Sequence, residues 1–495
     1  MTALKFWQII KLLHQGKPMN QPIDFKSGFK LKPNAHVHLM GICGTAMASL
    51  AGIFKTMGCK VTGSDQNVYP PMSTQLENLG IKIMEGYKKE NLNVKPDLVI
   101  VGNVISSHFE EAKALLESNI PYTSLPAALG QFVIDNRHCI VVAGTHGKTT
   151  TTSMTSVVAD HCDLAPGFMI GGIPANYSQS FRVPSKNTFV IEGDEYDTAF
   201  FDKVPKFIHY KPRSVILTSI EFDHADIYKD LDHVKASFKK LLQLIPSDGL
   251  LVTHAADKNI KSILSECKSR VVTYGIFDGD YKAVEIDFIS GRTHFAVEHH
   301  GKKVGDIAIK MFGEHNVLNA LAVFALARES KWSLTGALQG LAAFQGVKRR
   351  LEVIGEPGGV TILEDFAHHP TAVKTTVASV KKRYPGKKVF AVFEPRSATS
   401  RRKVFQKEYG EAFLAADEVL LARPFDQSKI VENDRFSTQE LVEDLKNSSV
   451  LAKDFATVDE IVAHLKSGAK SGDVILIMSN GAFGGIYQKL LSTLG

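Results

Sequence analysis

Short apolar runs alternate with stretches of helical spacing along most of this chain. The first run, His36-Val-His-Leu-Met40, leads into a turn at Gly41 and Gly44, then a helix to Met57, then a second strand, Lys60-Val-Thr-Gly-Ser-Asp65. Asp97–Gly102 supplies a later strand of the same sheet. A second series contains Cys139–Ala143, Thr188–Glu192 and Ser214–Ile220, with residues 281–312 alternating as short β segments and a helix over Asn316–Arg328. A third series contains Val360–Glu364, Lys388–Phe393, Glu418–Leu421 and Asp473–Met478. Strand and helix patterns in strict alternation predict an α/β protein with mostly parallel sheets. The breaks between series place domains at 35–135, 136–345 and 346–495, after an N-terminal extension over 1–34. The first and third read as Rossmann-like folds and the middle one as a phosphate-loop domain with a parallel sheet.

Composition narrows the class only slightly. With 495 residues, 44% of them hydrophobic and 22% charged, the chain is an ordinary globular one with room for several cores. A net charge of +6 without a long Lys/Arg block suits anionic small molecules and gives no argument for nucleic acid. Five cysteines, an odd number without a Cys-x-x-Cys, fit a reducing cytoplasmic setting and no zinc site. No apolar stretch approaches the ~20 residues of a membrane span. The segment Leu4–Leu13 is apolar at helical spacing, but lysines interrupt it and no cleavage site follows, so a signal peptide is disfavoured. It reads as a helix packed on its own protein or a frayed extension in preference to an interfacial helix.

The sharpest signal is Ile140-Val-Val-Ala-Gly-Thr-His-Gly-Lys-Thr-Thr-Thr-Thr152. An apolar strand enters a turn made by Gly144, Thr145, His146 and Gly147, and Lys148, Thr149 and Thr150 open a helix. Backbone N–H groups and the helix dipole at such a turn attract phosphate. Lys148 can reach the outer phosphates, and the Thr149 hydroxyl can bind Mg²⁺. Val142 stands where the longer Walker pattern has its first glycine. The chain is expected to bind ATP.

Other polar groups collect at strand ends. Glu192-Gly-Asp-Glu-Tyr-Asp197 is placed to hold Mg²⁺ or is a solvated acidic turn. Glu221-Phe-Asp-His-Ala-Asp226 offers His224 to a second metal ion or a phosphate, or is an ion-pair cluster. His315-Asn316 reads as helix capping or as polar groups for a base. Lys348-Arg349-Arg350 is an anion clamp or a solvated basic turn. Asp365-Phe-Ala-His-His-Pro370 holds two histidines at a strand end, with a histidine-capped turn as the plainer reading. Arg396, in Glu394-Pro-Arg-Ser397, is suited to a carboxylate. Gly41 and Gly44 resemble a dinucleotide-fold start, with Asp65 at the end of the second strand in position to meet a ribose, although Cys43 and Ala46 break the glycine fingerprint.

As an ordered set, these motifs resemble the Mur ligase family from about Ala35 to Leu494. The features are Gly-Thr-His-Gly-Lys-Thr-Thr, Glu192, Asp223-His224, His315-Asn316, Lys348-Arg349-Arg350, and Asp365 with His368. Several segments are similar to the peptide-adding branch, which joins UDP-N-acetylmuramate to L-alanyl-γ-D-glutamyl-meso-diaminopimelate. They are Gly41–Gly44, Asn67–Ser73, Glu195–Lys203, Asp365–Thr371, Glu394–Ser397 and Met478–Gly485. The alternative is the L-alanine-adding branch. The resemblance implies an ATP- and Mg²⁺-dependent amide ligase of peptidoglycan recycling, acting through an acyl phosphate on the muramate carboxylate. It implies catalytic roles for Lys148, Glu192 and His224, with Thr149, Glu192 and His224 as metal ligands. Gly144, Thr145, His146, Gly147, Lys148, Thr149, Thr150, His315, Asn316, Arg350 and Asp365 would hold ATP. Gly41, Gly44, Ser64 and Asp65 would hold the UDP-sugar, and His368, His369, Arg396 and Ser397 the peptide. Residues 1–34 are extra to the family pattern. Lys239 lies where some relatives carry a carbamylated lysine, and that role is not carried over to it. A folate-type polyglutamate ligase, an ATP-hydrolysing switch and an NAD enzyme are the weaker readings.

Overall fold

The computed structural model describes residues 20–68 and 72–495. The expected helix over Leu4–Leu13 lies outside them, as do Tyr69, Pro70 and Pro71 of the Asn67–Ser73 segment. The chain divides into two compact units. One comprises Met1–Ile220, Asp232–Tyr281 and Ala322–Leu341, and the other Glu221–Leu231, Lys282–Leu321 and Ala342–Gly495.

The first unit opens with five parallel strands: β1 (His36–Met40), β2 (Lys60–Asp65), β3 (Lys82–Glu85), β4 (Leu98–Val101) and β5 (Tyr122–Ser124). Their order is β3-β2-β1-β4-β5, the Rossmann-like arrangement in which the chain reverses direction beside β1. β1 and β4 are buried along their whole length, as strands covered on both faces must be. The sheet also buries polar groups. His38 Nε2 lies 2.8 Å from Glu111 Oε1 with both side chains fully buried, and His38 Nδ1 lies 2.9 Å from Thr62 Oγ1. Residues before β1 are tied to the far side of this sheet: Asn20 N–H donates to Leu116 O, Ile23 N–H to Tyr122 O, and Phe25 packs edge-on to Phe132.

The same unit continues with β6 (His138–Ala143), β7 (Gly167–Met169), β8 (Phe181–Arg182) and β9 (Thr188–Gly193). A small antiparallel pair, β10 (Asp197–Ala199) and β11 (Asp202–Pro205), precedes β12 (Ser214–Leu217), β13 (Leu250–His254) and β14 (Arg270–Gly275). The order β14-β13-β12-β6-β9-β7 is parallel throughout, with β8 antiparallel at the edge. Ala143 of β6 stands in register with Gly193 of β9 and Leu217 of β12. The three segments that follow these residues therefore emerge side by side, which is where ligands bind in open α/β sheets.

Residues 281–312, from Tyr281 at the end of the first unit into the second, do form β segments: β15 (Tyr281–Ile289), β16 (Arg292–His299) and β17 (Lys302–Ile309), the last two paired antiparallel. The helix read as Asn316–Arg328 runs from Glu314 to Glu329. The remaining strands are β18 (Arg350–Gly355), β19 (Thr361–Asp365), β20 (Val389–Phe393), β21 (Glu418–Ala422), β22 (Leu451–Phe455) and β23 (Val474–Met478). Their order is β18-β19-β23-β20-β21-β22, parallel except for the antiparallel edge strand β18. Period-two alternation divides the core cleanly. Leu363, Ala391, Phe393, Leu421 and Leu476 face one layer, and Ile362, Phe390, Val392, Leu420 and Ile475 face the other. β18 and β22 went unread in the sequence because both are half-exposed edge strands with charged residues.

Candidate functional site

The phosphate loop is built by backbone constraint. Gly144 has φ +129°, and a Cβ there would stand 2.2 Å from Thr218 Oγ1, so only glycine fits. Gly147, with φ +80°, turns the chain into the helix Lys148–His161. The segment after β12 clamps this loop. Thr145 N–H donates to Ser219 O, His146 N–H to Ser219 Oγ at 3.1 Å, and Thr218 Oγ1 donates to His146 O at 2.5 Å. Thr218 and Ser219 escaped sequence reading because nothing local marks a hydroxyl that serves a loop more than 70 residues earlier.

Charge converges on this turn. Lys148 Nζ donates to Gly144 O at 2.6 Å and to Glu195 Oε2 at 3.2 Å, with the lysine and glutamate side chains 14% and 3% exposed. Burial opposes the lysine's charge, but Glu195, Asp194 and Glu192 outweigh it and hold the ammonium above its ordinary pKa. Thr149 Oγ1 donates to Glu192 Oε2 at 3.0 Å, and Glu192 Oε1 accepts Gly171 N–H at 2.7 Å. Burial, reinforced by Asp194, raises the pKa of Glu192. Asp194 is half-buried, and Lys206 at 2.9 Å and then Lys148 pull its pKa down against the cost of desolvation. Lys206 also sits 4.1 Å from the centroid of the Tyr196 ring. This second buried cation was missed, since a lysine in Lys203-Val-Pro-Lys206 reads as surface. Thr149 and Glu192 offer hard oxygen donors at a phosphate loop, a set that fits Mg²⁺. Lys239 stands apart on the helix Leu231–Leu244, 3.7 Å from Glu266.

In the first sheet, Gly41 N–H and Ile42 N–H both donate to Ser64 O. Asp65, expected to face a ribose, spends its carboxylate on the loop itself: Oδ2 accepts Cys43 N–H at 2.8 Å and Oδ1 accepts Asn67 N–H at 2.9 Å. Gly44 ends the turn as the cap of the helix Thr45–Thr56. The glycine turn, Ser64 and Asp65 thus lie together at the C-terminal ends of β1 and β2.

In the second unit, Asp223 is the hub of one cluster. Its Oδ1 accepts Thr399 Oγ1 at 2.7 Å and His224 N–H at 2.7 Å, and Oδ2 lies 3.9 Å from His368 Nε2. Burial works against its charge, but His224, His368, His369 and the Thr399 hydroxyl hold its carboxyl well below the usual carboxylate range. His369 takes the plainer of its two sequence readings. It is the N-cap of the helix Pro370–Arg383, Nδ1 accepting Thr371 N–H, while Nε2 lies 3.1 Å from Phe222 O.

A second cluster surrounds Asp365, whose carboxylate accepts Leu351 N–H and Ala367 N–H, each at 2.8 Å. Burial raises its pKa against the pull of Arg350. The basic run divides its labour. Arg349 is committed to Glu364 at 2.6 Å and to the carbonyls of Ser479 and Gly481, whereas Arg350 lies 4.8 Å over the Phe366 ring. Asn316 is not an N-cap: it is the third residue of its helix and donates back to Phe312 O at 2.9 Å. His315 is half-buried as a residue, yet its Nδ1 is sealed without a hydrogen-bond partner among the described residues. Burial lowers its pKa to about 4.

A third group follows β20. Arg396 lies 3.4 Å from Glu394 and 3.9 Å from the centroid of the Phe425 ring. Ser397 is turned inward, its Oγ accepting Ser400 N–H at 2.9 Å.

Comparison with known proteins supplies the family. The Mur ligase family catalytic domain matches residues 36–137, the Mur ligase middle domain 142–327, and the Mur ligase glutamate ligase domain 349–481. The UDP-N-acetylmuramate–L-alanyl-γ-D-glutamyl-meso-2,6-diaminoheptandioate ligase of Escherichia coli K12 is 40% identical over 460 residues, 92% of this chain and 98% of that protein. The chain belongs to the Mur ligase family. Among other Mur ligases, the UDP-N-acetylmuramate–L-alanine ligase of Clostridium botulinum strain Langeland is 34% identical over 449 residues, 90% of this chain and 95% of that protein. A murein peptide ligase crystal structure from Psychrobacter arcticus superposes with a TM-score of 0.70 at 37% identity, covering 93% of this chain and 99% of that one. The α/β architecture with parallel sheets is thus that of the Mur ligases. No helix among the described residues is long and apolar enough to cross a membrane.

Proposed function

We propose that this Mur ligase joins UDP-N-acetylmuramate to L-alanyl-γ-D-glutamyl-meso-diaminopimelate at the expense of ATP, in peptidoglycan recycling. The observation that carries the reading is the 40% identity, spanning 98% of its length, to a relative named for that reaction. The phosphate-loop geometry supports the ATP half. A carboxylate is a poor acylating agent in water, so the muramate carboxylate attacks the γ-phosphoryl group and becomes an acyl phosphate. The peptide amine then attacks the acyl carbon, a tetrahedral intermediate collapses, and phosphate leaves.

The chain's own work in this scheme is positioning and charge stabilisation. Lys148 carries a full positive charge at the loop where the phosphoryl group passes. Gly144, Thr145, His146, Gly147 and Thr150 form its walls, and the Thr218–Ser219 clamp keeps them in place. Thr149 and Glu192 would hold one Mg²⁺ and His224 would serve a second, ions that when bound neutralise phosphate oxygens. His315, Asn316, Arg350 and Asp365 serve the nucleotide, Asp365 by bracing the backbone of Leu351 and Ala367, the residues that follow Arg350 and Phe366. Gly41, Gly44, Ser64 and Asp65 form the UDP end, in a domain over 35–135. The central domain is 136–345 and the peptide domain 346–495. His368, His369, Arg396 and Ser397 belong to the peptide side, with Arg396 as the direct contact and Ser397 and His369 shaping the loops.

The test is phosphate release with ATP, Mg²⁺ and UDP-N-acetylmuramate against three amines: the tripeptide, its lysine variant and L-alanine. Turnover with the tripeptide and little with L-alanine is the expected result. Full turnover with L-alanine alone would make the chain an alanine-adding ligase.

A further inference from the structure

The C-terminal ends of β19, β23 and β20 stand in register, with Asp365 opposite Met478 and Met478 opposite Phe393. The segment that leaves β23, Ser479-Asn480-Gly481, is fixed on all sides. Ser479 N–H donates to Asp365 O at 3.1 Å, and Ser479 Oγ donates to Glu394 Oε2 at 2.5 Å. Gly481 N–H donates to Ser479 Oγ, and Arg349 donates to the carbonyls of both Ser479 and Gly481. A Cβ on Gly481 would stand 2.2 Å from Arg396 Cδ and Nε, so the arginine side chain lies flat on this backbone.

One polar atom in this frame is left over. Asn480 Oδ1 is buried and has no hydrogen-bond partner among the described residues. A buried acceptor is costly to leave unpaired, and such atoms in rigid surroundings point to a ligand group. Its neighbour Arg396 is held by Glu394 on one side and Phe425 on another, a cation presented in a set direction. A cation and an acceptor on adjoining, immobilised backbone match a molecule with a carboxylate and an N–H close together, as the C-terminal residue of a peptide has.

We propose that Asn480 is a binding residue for the amine substrate, its carboxamide oxygen accepting a peptide N–H beside the carboxylate that Arg396 takes. The inference rests on the peptide-ligase reading above and names a contact of that site. It is tested with Asn480→Leu and Asn480→Ser in the full chain, with KM measured separately for the tripeptide, UDP-N-acetylmuramate and ATP, beside a melting curve. Leucine removes the acceptor, so the tripeptide KM should rise about tenfold or more while the other two stay put. Since no protein partner is lost, the melting temperature should hold or rise. Serine keeps a neutral oxygen acceptor and should retain most of the wild-type affinity. An unchanged tripeptide KM in Asn480→Leu overturns the proposal, as does an Asn480→Ser defect equal to that of leucine, or a fall in melting temperature with all three KM values moving together. Wild-type enzyme that turns over L-alanine and not the tripeptide would overturn the functional reading itself, and is seen before any variant is made.

Discussion

Replacing Lys148 with methionine should separate the two roles of this side chain. Its ammonium lies 3.2 Å from a Glu195 carboxylate that is almost fully buried. At an effective dielectric of about 20, that separation corresponds to a gross attraction of about 5 kcal/mol. Desolvation offsets part of this, but removing one partner leaves the other's buried charge without this cation, and breaking buried pairs costs about 3–5 kcal/mol. Lys148→Met should therefore lower the melting temperature by roughly 5–15 °C. Adding Glu195→Gln discharges that carboxylate, and the double variant should recover most of that loss. Activity should follow a different course. Loss of the positive charge at the phosphoryl group costs about 100-fold or more in turnover, and restoring the fold does not replace it. The assay is phosphate release under saturating substrates, run beside calorimetry for both variants. A double variant that regains turnover along with stability would refute the reasoning, because Lys148 would then be a structural cation only. So would a single variant within about tenfold of wild type.

Glu192→Gln should leave the fold intact and raise the Mg²⁺ concentration for half-maximal turnover, read from a metal titration. Arg396→Ala should raise the tripeptide KM by about 10–150-fold with the ATP KM unchanged, and Gly481→Ala should reproduce that defect by displacing the arginine. Acid stability should report His315, whose folded pKa of about 4 lies below its ordinary 6.5. The unfolded chain takes up a proton that the folded one refuses, so stability falls as pH drops through that window. His315→Gln should flatten the slope in denaturant melts between those two pH values.

The elements that could be read from sequence were those whose signal is local. The phosphate loop is a strand, two glycines, Lys148 and Thr149 in succession, and the strand-end acids announce themselves by ending an apolar run. Pairings across long separations were invisible. Thr218 and Ser219 look like ordinary strand-end hydroxyls until the Gly144–Gly147 turn is placed against them. Asp65 and Asp365 were read as ligand contacts because acids at strand ends often are, yet both brace backbone N–H groups of neighbouring turns. The direction of a strand-end carboxylate depends on loop geometry that no spacing encodes. Lys206 was missed for a related reason: a lysine's burial is decided by its partner, here Asp194, twelve residues away.

The segment ahead of β1 has a consequence for solubility. β5 ends its sheet, and a terminal strand offers unpaired amide groups on which another chain can add. Here Tyr122 O is occupied by Ile23 N–H, Tyr122 OH reaches Asn20 O, and Phe25 and Phe29 cover Phe132. These residues act as a gatekeeper for that flank. Trimming the chain to the first strand would strip that cover and leave Tyr122 O open to a strand of another chain.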